Sequence, residues 1–458
     1  MHLVCKNGEF FIDIISEKKK EVTRIKSSTM EGVEDPPYSP SEDKVKTRTI
    51  LAFGAIGFLV DIFFYVNISA SQDILQGTVI PTSFVLLSAT GPACLSSIFY
   101  PYVFQKIPVP VASCLSLALS VAGMLTTSIV QEPRIKLIGV CLVAFGYGTL
   151  ESVFGPLSSL YGKATVDSFT IGTGVATLLA PLTYLGLTML VCLSPEVSYL
   201  LIAVLWILFP IAYLAIDDLS NKIHEKSHPT SFIEVPYKRI ESNSSDELPS
   251  KLSCVEMSWL VWKTQASCLA LFSSNFSKHL LVNSVATTLA FTNTFLAPRN
   301  QYLFYMLALG IGDLFGRSYL ALLSLCGIQN NFKIRETWIL ALANVSLLTF
   351  MVFASWFRLL SHFYTVSAVV LVNSFLAGAV CVNGFHNAGE GLTVLKIRFC
   401  RGLLIGALWS ASTAVSLIGL NTEVLLRRQC LAFLPEVVCY TRSLNEWNPL
   451  EYCVTQQT

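Results

Sequence analysis

The charged residues of this 458-residue chain, those best able to do acid–base or ion-binding chemistry, mostly sit in polar stretches, with five exceptions. Asp61, Glu151, Lys278, Asp313 and Arg317 each lie inside a long apolar stretch. A charge at the middle of a membrane helix costs about 2.5–3.5 kcal/mol, so an ionisable residue kept there marks a pathway or a site. Glu151 stands among Gly146, Gly148 and Pro156, where a helix can break or approach a neighbour closely. It is the first candidate for carrying a proton, with a structural carboxyl bonded to a neighbouring helix as the plainer role. Asp61, mid-stretch, and Asp73, at the end of the same stretch, are the next proton-coupling candidates. For Asp73 the alternative is an interfacial charge at a helix end. Asp313 and Arg317 are four residues apart and share one face of a helix. They suit an internal ion pair, or a site in which the planar guanidinium fork of Arg317 takes phosphate oxygens. Lys278 and His279 are further solute-binding candidates, although Lys278 could snorkel to the interface and His279 could simply pack. His386, with Glu390 one turn on, adds a group that titrates between pH 5 and 8, or else an interfacial helix cap.

Other chemistries find no support. Gly172-Thr173-Gly174 follows no strand and leads to no phosphate-binding Lys, so it is read with Gly148 as a close-packing surface for helices. No metal-ligand spacing and no nucleophile elbow appear, and the 13 cysteines fall mostly in apolar runs. The chain is expected to be no enzyme and to use no metal or other cofactor. With 31 basic and 30 acidic residues it lacks the charge of a nucleic-acid binder.

The elements that must position these residues follow from the scarcity of charge. Only 13% of residues are charged, against about 25% in soluble domains. Stretches free of Asp, Glu, Lys and Arg cover 74–105, 107–131, 168–195, 197–216, 337–357, 359–389 and 402–422. Four more, 49–72, 137–162, 264–298 and 300–332, hold the charges named above. At about 20 residues per crossing these make an all-α polytopic membrane protein of about eleven transmembrane helices, or twelve if 264–298 folds as two pieces. Lys44, Lys46 and Arg48 precede the first span and put the N-terminus in the cytosol by the positive-inside rule. The expected organisation is a disordered cytosolic arm at 1–48, a six-helix bundle at 49–216, a Ser-rich cytosolic linker at 217–259, a second bundle at 260–424 and a tail at 425–458. Six helices, a linker and five helices is the layout of a two-bundle transporter.

Several blocks resemble a known family. Gly146-Tyr147-Gly148-Thr149-Leu150-Glu151-Ser152-Val153-Phe154 leads to Tyr161, then to Gly172-Thr173-Gly174-Val175-Ala176 and Tyr184-Leu185-Gly186-Leu187-Thr188. Tyr65, Ser69-Ala70 and Asp73-Ile74 agree as well, as do Gln301-Tyr302, Tyr305, Gly312, Arg317-Ser318, Gly378-Ala379, Val382-Asn383 and Phe385-His386-Asn387. In order and spacing these resemble the battenin family of lysosomal membrane proteins, over roughly 49–420. The resemblance implies a fold like the major facilitators, a lysosomal or late endosomal multi-pass location, and a part in clearing glycerophosphodiesters, in lysosomal pH and in amino-acid handling. It adds Tyr305 and Asn383 to the solute-binding candidates. The chain departs from the family where Ser274 and Ala411 replace acidic residues and where Asp313 replaces an apolar one.

The partners expected are the lipid bilayer, a small anionic organic solute and protons. The alternative is a membrane scaffold that regulates endolysosomal traffic or a proton pump without transporting. For either role, Tyr237 and Ile240 in the linker fit a tyrosine-based sorting pattern that adaptor proteins read.

Overall fold

A chain in hydrocarbon must satisfy its backbone N–H and C=O groups within each segment, and the apolar stretches accordingly fold as helices. The computed structural model describes residues 2–6, 9–13, 47–99, 108–161, 163–216, 254–294, 296–325, 333–389, 392 and 394–442. The first six long helices are α1 (Thr47–Ser69), α2 (Ser83–Phe99), α3 (Val109–Ile129), α4 (Pro133–Tyr161), α5 (Lys163–Leu185) and α6 (Pro195–Leu214). Then come α7 (Cys254–Leu280), α8 (Pro298–Leu325), α9 (Thr337–Trp356), α10 (Phe363–Ala388) and α11 (Val394–Leu431). Among the described residues nine helices are long and apolar enough to cross a membrane. Two further long helices are not among these nine: α2, of 17 residues, and α7, which carries Glu256, Lys263 and Lys278.

The boundaries differ in places from those read off the sequence. Helix α7 begins at Cys254, inside the expected linker, and runs on through a π turn, Leu281–Val285, and a 3-10 turn, Ala286–Thr288. The stretch 264–298 therefore holds one helix, loosened at its end and followed by non-helical chain from Leu289. Helix α11 extends past the expected bundle end to Leu431. Within the arm expected to be disordered, His2–Lys6 pairs antiparallel with Glu9–Asp13, Leu3 opposite Ile12. The run Phe10-Phe11-Ile12 supplies the strand-favouring residues.

The halves α1–α6 and α7–α11 repeat one packing plan. Helix α1 lies on α5 as α7 lies on α11; α4 packs on α2 and α3 as α10 packs on α8 and α9. The halves meet along two seams, α5 on α8 and α2 on α11. Both seams are close because small residues line them: a Cβ on Gly310 of α8 would sit 2.5 Å from the Thr177 carbonyl oxygen of α5. We call the face where α1 starts the near face and the opposite one the far face.

Of the expected packing glycines, Gly172 and Gly148 are in tight contact. A Cβ at Gly172 would lie 2.1 Å from the Gly54 carbonyl oxygen, and one at Gly148 would lie 2.6 Å from Ala93 Cα. At Gly174 the nearest atom would be 3.4 Å away, an Arg317 side-chain carbon. Gly172→Ala should therefore cost about 1–3 kcal/mol, and Gly174→Ala should leave stability within about 0.5 kcal/mol. Thermal melts of the two variants in detergent check this, and indistinguishable melts would contradict the packing described.

Candidate functional site

The middle of the α5–α8 seam holds a shared carboxylate. Asp313 of α8 is buried, and Lys278 of α7 donates Nζ to its Oδ1 at 3.2 Å. Arg317, one turn along α8, donates Nε to Oδ2 at 2.7 Å. Thr177 of α5 donates to Oδ2 at 3.4 Å, and Arg317 Nη1 donates to Thr173 Oγ1 at 2.7 Å. Lys278 thus does not snorkel to the interface; it is paired and 2% exposed. Asp313 neutralises one of two cations, and Arg317 Nη2 has no direct partner among the described residues.

Two further carboxyl groups face this excess positive charge. Asp61 of α1 is buried, makes no hydrogen bond or ion pair among the described residues, and lies in the field of Arg317, Asp313 and Lys278. Glu151 of α4 accepts from Trp409 Nε1 of α11 at 2.7 Å and interacts with both Asp61 and Arg317. The five charged residues singled out from the sequence therefore meet in one place, between the halves. With all five ionised, three carboxylates face two cations and the group carries one negative charge. One bound proton makes it neutral.

Aromatic residues wall the cluster. Phe64 meets Tyr65, Tyr147, His279 and Trp409 edge-on, with centroids 4.9, 5.7, 6.0 and 5.5 Å away. Tyr147 stacks on Trp409 at 5.7 Å. His279 is buried and its Nδ1 has no hydrogen-bond partner. Helical spacing explains the convergence. Asp61 and Tyr65, Tyr147 and Glu151, Thr173 and Thr177, and Asp313 and Arg317 are each four residues apart, so every helix turns one polar stripe inward. Among the described residues no group of His, Cys, Asp or Glu could hold a metal ion.

The other candidates lie elsewhere. Asp73 sits at the far face, where Arg299 donates Nε to Oδ1 at 2.7 Å and Nη2 to Oδ2 at 2.6 Å, and Tyr184 donates to Oδ2 at 2.7 Å. This bidentate pair ties the turn after α1 to the start of α8. His386 stands at the near face, its Nε2 3.8 Å from Asp167 Oδ1 of the other half. Tyr305 donates to the Leu289 carbonyl at 3.1 Å, away from the cluster. Asn383 accepts from the Ile334 N–H at 2.9 Å and donates to Ala379 O at 2.8 Å, which anchors the chain before α9. Glu390, Tyr237 and Ile240 lie outside the described residues. The sequence alone does not mark Trp409, Thr173, Thr177 or Arg299 as contributors. The four-residue spacing of Thr173 and Thr177 was the available signal.

With this geometry in place, comparison with known proteins gives the lineage. The sequence model of the CLN3 protein family matches residues 51–403. The chain belongs to the CLN3 protein family. It is 26% identical to battenin of Canis lupus familiaris over 371 residues, 74% of this chain and 82% of battenin. It is 25% identical to Protein btn-1 of Neurospora crassa over 398 residues, 78% of this chain and 84% of that one. In structure it is similar to a POT family transporter crystallised with 5-aminolevulinic acid, with TM-score 0.50 and 10% identity over 85% of this chain and 96% of that one. At that identity the similarity concerns fold alone. The expected all-α, two-bundle architecture of major-facilitator type is the fold of this CLN3-family membrane protein.

Because Asp313 holds the buried Lys278 and the part-buried Arg317, Asp313→Asn should destabilise the protein by about 3–5 kcal/mol. Asp61→Asn removes a carboxylate without a direct partner and should stay within about 1 kcal/mol of the parent or rise above it. Thermal melts at neutral pH test the contrast, and a larger loss for Asp61→Asn would contradict these assignments.

Proposed function

We propose that the protein is a carrier that exports a small anionic organic solute, a glycerophosphodiester, from lysosomes or late endosomes together with a proton. The observation that carries this reading is the cluster between the halves, with one open edge on Arg317 and one open carboxylate on Asp61. A diester phosphate fits the free Nη2 edge of Arg317 and the remaining donors of Lys278, because charge-assisted bonds from a guanidinium match phosphate oxygens. An anion entering a group that already carries one negative charge favours protonation of Asp61 or Glu151. Solute and proton then bind together, and a proton carried with each solute links the activity to lysosomal pH and, through it, to amino-acid balance. His279 is a further donor on the wall. Asp73, with Arg299 and Tyr184, serves the far mouth, and His386 the near one.

Two observations support the location. The disulfide Cys430–Cys439 lies at the far face, which fits an oxidising lumen on that side and a cytosolic near face. The basic residues Lys163, Lys333, Arg335, Lys396 and Arg401 fall in or beside near-face turns, as the positive-inside rule requires. The battenin relatives support the lysosomal membrane.

Proteoliposomes holding the purified protein should take up labelled glycerophosphodiester under a pH gradient. Arg317→Ala should lower that uptake at least about ten-fold, the loss of one charge-assisted bond. Glu151→Gln should retain uptake and lose its response to the gradient. Folded protein that moves no more label than empty liposomes would overturn the reading.

A further inference from the structure

The family match ends at residue 403, yet α11 continues to Leu431 and the chain then turns back on itself. Cys430 is bonded to Cys439, with Cα atoms 5.8 Å apart, which closes the turn and the short helix Glu436–Cys439 into a hook. The hook touches both halves. On the second half, Val438 O accepts from Ala290 N at 3.3 Å, and Thr441 donates its N–H and Oγ1 to Thr287 O at 3.3 and 3.1 Å. On the first half, Arg442 donates Nη2 to Ile80 O at 2.6 Å, at the entry to α2.

Below the hook, Glu423 of α11 is fully buried and caps α2. Its carboxylate accepts from Thr82 N at 2.9 Å, Ser83 N at 3.1 Å and Ser83 Oγ at 3.0 Å. Arg427 pairs with Glu423 and lies 4.6 Å over the Tyr440 ring, so the cap and the hook share one side chain. Burial, with Arg427 beside it, lowers Arg442 to about 10. Arg442 is thus charged at any physiological pH, and its bond to Ile80 is not a pH-sensitive link.

The near face is held differently. Its inter-half ion pair among the described residues is His386 with Asp167 at 3.8 Å. An alternating carrier must part its halves at each face in turn, and the far face is the more heavily fastened of the two.

We propose that residues 427–442 form a clasp across the α2–α11 seam, locked by Cys430–Cys439, and that the far face opens less readily while the clasp is shut. A dithiol releases the lock. It gives two electrons and two protons to the S–S bond, leaves two thiols on the protein and becomes a cyclic disulfide itself. The hook then loses its closure, and its few hydrogen bonds hold Ile80 to the end of α7 less firmly. This inference rests on the two-half fold and on no particular solute.

Hydrogen exchange read by mass spectrometry on the full chain in lipid nanodiscs tests it without any transport assay. Three proteins are compared: the parent with and without dithiothreitol, Cys430→Ser/Cys439→Ser, and Arg442→Ala. The serine pair removes this bond alone and leaves the one at Cys192 intact. Opening the clasp should speed exchange of residues 78–86 and 284–300 about ten-fold, the effect of losing one hydrogen bond, with near-face residues 163–172 and 378–388 unchanged. At residues 78–86 and 284–300 the serine pair should match the reduced parent, and dithiothreitol, which also reduces the bond at Cys192, should speed exchange there no further. Arg442→Ala, which keeps the bond and the fold, should show a smaller rise at the same residues. Unchanged far-face exchange with the disulfide gone, or a rise spread evenly over both faces in all variants, would overturn the proposal.

Discussion

Lys278 and Arg317 share one buried carboxylate, Asp313, and much of the molecule is arranged around that fact. A cation in the hydrocarbon layer needs a counter-charge close by, because solvent is absent to do the work. Asp313 supplies one for two cations. The remainder has to come from the opposite half, and it does, as Asp61 on α1 and Glu151 on α4. Thr173 and Thr177 of α5 extend hydrogen bonds across the same seam. The charges therefore belong to neither bundle alone. Any movement that parts the halves changes the distance of the carboxyl groups from the cations, and so alters the cost of leaving a proton on or off. Charge and shape are coupled by the placement of five side chains.

The aromatic wall keeps that coupling strong. Phe64, Tyr147 and Trp409 pack against one another and leave the cluster a low-dielectric surround, in which electrostatic interactions are larger than in water. Trp409 does two things at once: its ring stacks on Tyr147, and its N–H holds the Glu151 carboxylate toward the centre. The π turn that ends α7 begins two residues after His279, and Asn283 within it donates back to the His279 carbonyl at 3.0 Å. Such turns often occur at functional sites in helices, because the extra residue re-aims the side chains around it.

Much of this was legible in the sequence. Length and apolarity gave the helices, and the rarity of charge gave Asp61, Glu151, Lys278, Asp313 and Arg317 as the residues worth following. The i,i+4 pairing of Asp313 with Arg317 could be read directly, because it is local. The partners of Lys278, Glu151 and Asp73 could not. They lie 35, 258 and 226 residues away, and helical periodicity says nothing about which helix is the neighbour. The same reason hid Glu423, which is buried under contacts to Thr82 and Ser83 some 340 residues earlier. Tyr305 and Asn383 match the family pattern, and their hydrogen bonds hold turns and helix ends. Residues that fix a fold and residues that face a solute look alike in one sequence.

The account stands on the claim that the cluster takes up a proton as an anion binds. Calorimetric titration of a glycerophosphodiester into the purified protein, repeated in buffers of different ionisation enthalpy at one pH, counts the protons that move on binding. The account predicts uptake of about one proton per solute, lost in Glu151→Gln or Asp61→Asn, since a carboxyl group must neutralise the charge the anion brings. Binding with no proton uptake, or with uptake unchanged when both carboxyl groups are removed, would contradict it.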